Sequence, residues 1–319
     1  MSARAETMLD WVFRSTLAMD PRYRDRLVVS LATSKGEKPA AGMFEPSDPN
    51  ATKPPYTLQN GVATLAVYGV ITKREMFSWW SSGVSCDEIR ASITAALNDT
   101  RVKSIVLDVD SPGGSVDGVA DLSEFIFDAR GRKPITAYAN GQMASAAYFI
   151  ASAADKIITS QDASVGSIGV YSILCDYSEY LKTLGINEEM IKAGKFKGLG
   201  HPDFPITPDT RKLAQEEVDA HYQNFVAAVA RNRGMTIEDA TKVADGRHHV
   251  GAAAVKLGLA DEVGTIEDAN GTAHTPTAGD EDSPKKIQPR SDDICIAIPQ
   301  TNSQPGGCGE IGDELCIRF

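Results

Sequence analysis

Lys-Ser-Ile-Val-Leu-Asp-Val-Asp-Ser-Pro-Gly-Gly, residues 103–114, is a β-branched apolar run that ends in a tight turn. Such a run is typical of a buried strand in a parallel sheet. Helical periodicity follows the turn over residues 117–130, and a second strand-like run follows over residues 134–139. A strand, a helix and a strand in this order indicate one crossover unit of an α/β fold.

The same alternation extends in both directions along the chain. Upstream, the sequence predicts a strand with a glycine break over 61–71 and an amphipathic helix over 86–97. Downstream, it predicts an apolar helix that opens near Ser145. The other predicted elements are strands at 156–160, 165–171 and 259–263, and helices at 207–234, from Thr236, and at 252–257.

The two ends of the chain differ in composition from this middle part. Residues 1–32 show helical periodicity and residues 34–55 are rich in Gly, Pro and Ser, so we predict a helical N-terminal extension with a linker over 1–55. Residues 269–319 are polar and without periodicity, which predicts a disordered tail. The α/β domain is therefore expected over residues 56–268.

Composition excludes several classes of function. The 319 residues carry a net charge of −11, which argues against a generic nucleic-acid binder. No continuous apolar stretch is long enough for a membrane span, and charged residues interrupt the N-terminus, unlike a secretory signal. The five cysteines match no zinc pattern. We expect a cytoplasmic protein without metal or cofactor.

Ser145 is a candidate nucleophile. It lies in the small-residue run of residues 143–155, Met-Ala-Ser-Ala-Ala-Tyr-Phe-Ile-Ala-Ser-Ala-Ala-Asp. Small neighbours leave its hydroxyl accessible, and the first N–H groups of a helix, such as that of Ala146, can donate to an oxyanion. The alternative is that Ser145 only caps the helix.

The Gly113-Gly114 pair is a candidate part of the same oxyanion site. Paired glycines allow left-handed backbone conformations that turn N–H groups toward one point. The alternative is an ordinary turn between a strand and a helix.

The choice of general base stays open on the residues alone. None of the five histidines lies in the 55 residues after Ser145; His201 is the nearest to the candidate site, and His248 and His249 are expected in a loop. Lys197 lies in a glycine-rich segment, Ala-Gly-Lys-Phe-Lys-Gly-Leu-Gly at 193–200, and a lysine accepts a proton only when it is neutral. Lys192 and Lys195 lie close by, and the pattern does not choose among the three.

Five ordered segments resemble the signal peptide peptidase A family, which is serine peptidase family 49. They are Leu107–Gly114, Met143–Asp155, Gly166–Val170, Ala193–Gly200 and Asp245–Gly264. The resemblance implies a ClpP/crotonase-like spiral of ββα units, assembled into rings in which neighbouring copies complete the substrate groove.

The resemblance also implies roles for individual residues. Ser145 corresponds to the nucleophile, Lys197 to the general base, and Ser167 to a serine that orients the lysine. Gly113 and Gly114 correspond to the turn that contributes to the oxyanion hole. Many members have Ser-Gly-Gly at the nucleophile where this chain has Ser-Ala-Ala, so the fit of substrate is expected to differ.

The segments together predict a serine endopeptidase with a Ser145–Lys197 dyad. A helical N-terminal extension and no predicted anchor resemble the phage branch of the family, whose substrates are capsid, scaffold or portal proteins. Three alternatives stay open: a housekeeping peptidase that degrades signal peptides, a crotonase-type acyl-CoA enzyme, and a non-catalytic capsid-assembly protein.

Overall fold

The computed structural model describes residues 16–21, 23–24, 55–74 and 83–271. Most of the predicted N-terminal extension, nearly all of the predicted linker, and the predicted tail from residue 272 onward lie outside the described residues.

Strands and helices alternate through most of the described chain. The strands are β1 (Leu17–Met19), β2 (Thr57–Gln59), β3 (Val62–Tyr68), β4 (Val70–Thr72), β5 (Gly83–Ser85), β6 (Ser104–Ser111), β7 (Gly113–Ser115), β8 (Ile135–Ala144), β9 (Lys156–Thr159), β10 (Ser164–Gly166), β11 (His248–Val250) and β12 (Glu262–Val263). The helices are α1 (Cys86–Asn98), α2 (Val119–Ala129), α3 (Ala146–Ala151), α4 (Ser178–Thr183), α5 (Pro208–Arg233), α6 (Ile237–Val243), α7 (Ala252–Lys256) and α8 (Ile266–Ala269).

The larger sheet is mostly parallel. Strands β3, β6 and β8 are parallel neighbours, and β8 pairs with β9 along its first half and with β10 along its last three residues. Antiparallel strands β2 and β11 lie at the two ends of the main strand order. Because parallel neighbours end at the same edge, the turns after β6 and β8 lie close together. Ser145 directly follows β8, and the Gly-Gly pair begins strand β7 two residues after β6 instead of forming the predicted turn.

A smaller sheet carries the glycine pair. Its strand order is β1-β7-β4-β5, and β7 is antiparallel to β1 and parallel to β4. A Cβ on Gly114 would stand 1.7 Å from the carbonyl oxygen of Ile71, so only glycine fits at this crossing. The smaller sheet therefore fixes β7 beside the end of β8.

Helix α3 lies inside the core, with all six of its residues buried. Phe149 stacks on Phe225 of α5 with ring centroids 4.5 Å apart, and the Tyr148 hydroxyl donates to the carbonyl of Leu259 at 3.0 Å. Arg130 donates to the carbonyls of Ala153 and Ala154 just after the helix, at 2.9 and 2.7 Å. These contacts hold the helix, and hence the turn before it, in one position.

The α/β prediction is confirmed at the level of a mixed fold with parallel strands, and the middle elements lie near their predicted positions. Three local predictions were wrong. Residues 17–19 form strand β1 instead of a helix because their backbone groups pair with β7. His248 and His249 lie in strand β11 instead of a loop, paired with β10. The strand predicted over 165–171 ends at Gly166, and of its remainder only Tyr171 forms a bridge, to Leu17.

Candidate active site

Ser145 lies at a strained turn between β8 and α3. Its φ of 56° and ψ of −120° are unusual for a residue with a side chain. Such strain persists only where the surroundings impose it, and it is concentrated at functional sites. The Ser145 N–H donates to the carbonyl of Gly166 at 2.8 Å, which ties the turn to β10.

The Ser145 side chain does not cap the helix that follows it. No hydrogen bond runs from the first turn of α3 to its hydroxyl, and its Oγ lies 3.5 Å from the carbonyl oxygen of Gly169. The residue is 1% exposed and lines a cleft. Ser145 therefore occupies the N-cap position of α3, but its side chain does not cap the helix.

Gly113 lies against the first N–H of α3. A Cβ placed on Gly113, whose φ is 93°, would stand 3.0 Å from the backbone nitrogen of Ala146 and 2.2 Å from the carbonyl oxygen of Ala18. The start of β7 and the start of α3 are thus in contact, as an oxyanion site built from backbone donors requires. The structure brings Gly113, Ala146 and Ser145 together. Gly114 follows in β7 and packs against the backbone of Ile71.

Ser167 is the second strained serine of the site. Its φ is 51°, and its N–H donates to the carbonyl of Arg247 at 2.8 Å. It is 6% exposed and lines the same cleft as Ser145. The two serines therefore face one space.

The cleft over Ser145 has a volume of about 310 Å³. Its walls include Met19, Tyr171 and Tyr222, and the Tyr222 hydroxyl donates to the carbonyl of Ala244 at 2.8 Å. Asp245 lies at the rim, where a hydrogen bond from the Arg247 guanidinium holds the pKa of this carboxyl below its ordinary value.

Lys197 is an exposed residue between α4 and α5. Its N–H donates to the carbonyl of Gly194 at 3.2 Å. The described residues that line the cleft do not include it. Lys192 and Lys195 are exposed in the same segment.

No histidine is among the described residues that line the cleft. His201 lies beside Asp203, at 3.4 Å between Nδ1 and a carboxylate oxygen, and does not line the cleft. His248 lies next to Asp20, with 3.4 Å between its Nε2 and a carboxylate oxygen. In the same part of the chain, no group of three His, Cys, Asp or Glu side chains is placed to hold a metal ion.

Three residues of the cleft had been missed from the sequence. Met19 lies in a segment whose periodicity predicts a helix, and Tyr222 lies within the helix predicted over 207–234. Tyr171 ends the strand predicted over 165–171. A pattern of local periodicity holds no signal for residues that meet only through tertiary contacts.

A scan against family models matches residues 128–278 to Peptidase family S49. This match identifies residues 128–278 as a peptidase family S49 domain. The resemblance read from the five segments is thereby confirmed, and the match includes Ser145, Ser167 and Lys197, while Gly113 and Gly114 precede it.

Several curated proteins are similar to this chain. A Methanocaldococcus jannaschii protein named as a protease is 41% identical over 171 residues, 54% of this chain and 55% of its own length. Capsid assembly protease C of phage lambda is 33% identical over 215 residues, 67% of this chain and 49% of its own. An Enterococcus faecium protein named as signal peptide peptidase SppA is 34% identical over 174 residues, 54% and 50% of the two chains.

The chain thus spans about half the length of these relatives. Among the helices of its described residues, none is both long enough and apolar enough to cross a membrane.

Proposed function

We propose that the chain is a serine endopeptidase in which Ser145 is the nucleophile and Lys197 the general base. The observation that carries this proposal is the strained turn at Ser145, whose hydroxyl faces a cleft and whose following N–H lies against Gly113. A nucleophile beside preorganised backbone donors is what acyl transfer needs.

The proposed reaction has two steps. Ser145 Oγ attacks the peptide carbonyl as neutral Lys197 takes its proton, and backbone N–H groups near Gly113 and Ala146 stabilise the oxyanion. The lysine returns the proton to the leaving amine, and water then hydrolyses the acyl-enzyme. Ser167, in the same cleft, is proposed to hold the lysine amine near Ser145.

Lys197 has to reach Ser145 from outside the cleft of its own chain. We propose that a neighbouring copy supplies it, within a ring of identical chains. The exposure of Lys197 supports this arrangement, since an exposed side chain can enter the cleft of a neighbour. We also propose that the strand–helix units form the ClpP/crotonase-like spiral, which the parallel order of β3, β6 and β8 supports.

We propose proteins of capsid assembly as the substrates. The lambda relative, whose name contains this role, matches 67% of the chain, a larger share than the 54% matched by the signal peptide peptidase relative. The proposal includes capsid, scaffold or portal proteins as physical partners.

The test compares the wild type with Ser145→Ala on β-casein and on proteins encoded beside this gene, with fragments mapped by mass spectrometry. We expect Ser145→Ala to lose activity by at least about 10⁴-fold while its thermal unfolding is unchanged. Activity of the wild type should rise with pH, because only the neutral amine accepts a proton. Equal activity of the two proteins would contradict the proposal.

A mixing experiment tests the shared site. Ser145→Ala and Lys197→Ala proteins should each be inactive. Their equal mixture, refolded together, should regain about a quarter of the wild-type activity if one copy supplies serine and the next supplies lysine. A mixture that stays inactive while wild type refolded in the same way is active would contradict the shared site.

A further inference from the structure

Strand β1 lies beside the candidate nucleophile and is hydrogen-bonded through its backbone on both sides. On one side, the N–H of Asp20 donates to the carbonyl of Pro112 at 2.8 Å, and the N–H of Val116 donates to the carbonyl of Thr16 at 3.4 Å. On the other side, Leu17 exchanges two hydrogen bonds with Tyr171, at 2.9 and 3.0 Å. The strand therefore fills a slot between β7 and Tyr171.

This slot has the width and the polarity that an extended peptide needs. Neighbouring strands are about 4.8 Å apart, so two edges that both pair with β1 leave room for one strand. The groups at the edges are backbone donors and acceptors, which bind any extended chain whatever its side chains. Pro112, Val116 and Tyr171 would offer these groups to another peptide if β1 were absent.

The strand also passes the catalytic groups. The carbonyl oxygen of Ala18 and the backbone nitrogen of Ala146 both lie within 3.0 Å of the point where Gly113 would carry a Cβ. Met19 lines the cleft together with Ser145. A carbonyl of β1 is thus presented near the candidate oxyanion donors, as a substrate carbonyl would be.

The side chains of β1 show which peptides the slot accepts. Leu17, Ala18 and Met19 are each no more than 2% exposed. Side chains alternate along a strand, so Leu17 and Met19 project to one face and Ala18 to the other. Asp20 follows at the end, where Gln142 Nε2 donates to its carboxylate at 2.8 Å.

We propose that residues 16–20 occupy the groove in which substrate binds, so that the chain's own N-terminal strand competes with substrate. The groove then takes an extended peptide with large apolar side chains on either side of a small one, as in Leu17-Ala18-Met19. This inference rests on the proposed peptidase function and adds the class of peptide and its competitor.

A disulfide between β1 and β7 provides the first test. Leu17 and Ser115 are partners in the antiparallel register, and they lie between the hydrogen-bonded pairs. Such partners have Cα atoms about 4.5 Å apart, within the range that a disulfide spans. Leu17→Cys with Ser115→Cys therefore holds β1 in the slot when oxidised and releases it when reduced.

Binding is measured on Ser145→Ala protein, so that no cleavage is needed. The probe is a fluorescein-labelled peptide of residues 15–21, Ser-Thr-Leu-Ala-Met-Asp-Pro. We expect the oxidised double-cysteine protein to bind it at least about ten-fold more weakly than the reduced protein, because a tethered competitor has a high effective concentration. Each single-cysteine variant is the control and should bind equally in both conditions.

A released variant provides the second test. Leu17→Asp puts an unpaired carboxylate in a buried position, which should expel β1 and strengthen binding of the probe by at least about ten-fold. Leu58→Asp, on β2 at the far edge of the larger sheet, is the matched control and should not strengthen it. A probe with Asp in place of both Leu and Met should not bind.

Two results would overturn the inference. One is an oxidised double-cysteine protein, with its disulfide confirmed by mass spectrometry, that binds the probe as tightly as the reduced form. The other is a folded Leu17→Asp variant without tighter binding. If the binding results hold but no variant with Ser145 intact cleaves any peptide, the peptidase function fails and the groove assignment stands.

Discussion

The two halves of the proposed dyad lie in very different parts of the molecule. Ser145 is 1% exposed and is followed by a helix whose six residues are all buried. Lys197 is exposed, and so are most residues of the segment between α4 and α5. The core thus fixes the position of the nucleophile, whereas packing within one chain does not fix that of the lysine. The comparison suggests that stability and base chemistry can be separated by mutation.

The largest expected effect is the loss of activity when Lys197 is replaced. Lys197→Ala should reduce cleavage of β-casein by at least about 10⁴-fold, because the serine loses its base. Its thermal unfolding should match that of the wild type, since the side chain is exposed. Lys195→Ala, two positions earlier in the same segment, is the control and should retain activity. Loss of activity in Lys195→Ala with an active Lys197→Ala would reassign the base.

The next effect contrasts two glycines. Gly114→Ala should lower the free energy of unfolding by about 4 kcal/mol or prevent folding, because its Cβ would overlap the carbonyl oxygen of Ile71 at 1.7 Å. Gly194→Ala, near Lys197, has its nearest contact at 3.7 Å but a φ of 95°, and should cost about 1 kcal/mol. Urea unfolding of both variants measures the difference, and equal losses would show that the two regions are not as different as their packing indicates.

A third change weakens the support behind Ser145. Arg130 donates to three carbonyls that follow α3 and to the carbonyl of Asn232, and its guanidinium lies 4.4 Å from the Phe127 ring centroid. Arg130→Met should lower the free energy of unfolding by about 3 kcal/mol, because these carbonyls lose a charged donor. Activity should fall as well, since α3 begins at Ser145.

Arg132→Met is the matched control for this change. Arg132 is exposed and makes one long contact of 3.5 Å with Asn98, so little stability should be lost. If Arg130→Met is as stable as Arg132→Met, the carbonyls that Arg130 contacts have other hydrogen-bond donors, and the explanation is contradicted.

The smallest effect concerns the contribution of Asp261 to stability in acid. Burial raises the pKa of Asp261, but hydrogen bonds from Arg233 and from the Ile157 N–H outweigh it and leave the pKa below its ordinary value. A carboxyl with a lowered pKa adds stability above its unfolded pKa of about 3.9, and this stability is lost as pH falls through the folded pKa. Asp261→Asn should therefore cost about 1 kcal/mol at pH 7 and less below pH 4.

Thermal unfolding between pH 2 and pH 7 measures this effect. Asp128→Asn, at an exposed position of α2, serves as the control and should follow the wild type at every pH. A constant difference between Asp261→Asn and the wild type over the whole pH range would contradict the ion-pair explanation.

Most of the fold was predictable because its elements carry local patterns. The β-branched run before Gly113 predicts strand β6. Helix α5 is predicted by a Thr-Pro start at its first turn and by Gly234 at its end. The position of Ser145 at a strand-to-helix turn was likewise predictable from the small residues around it. The prediction failed at Leu17–Met19, where the partners of the strand lie about a hundred residues or more away in the chain.

The sequence alone determined the α/β alternation, the glycine pair, the serine within its small-residue run, and the S49 segments. Each of these depends on periodicity or on residue type over a few neighbouring positions. The tertiary structure decided that β1 lies beside Ser145, that two serines adopt left-handed backbone angles, and that Lys197 stays outside the cleft. These features depend on backbone pairing and packing between segments that are far apart in the chain. Every residue except proline carries the same backbone donor and acceptor, so a local sequence pattern does not show which segments will pair.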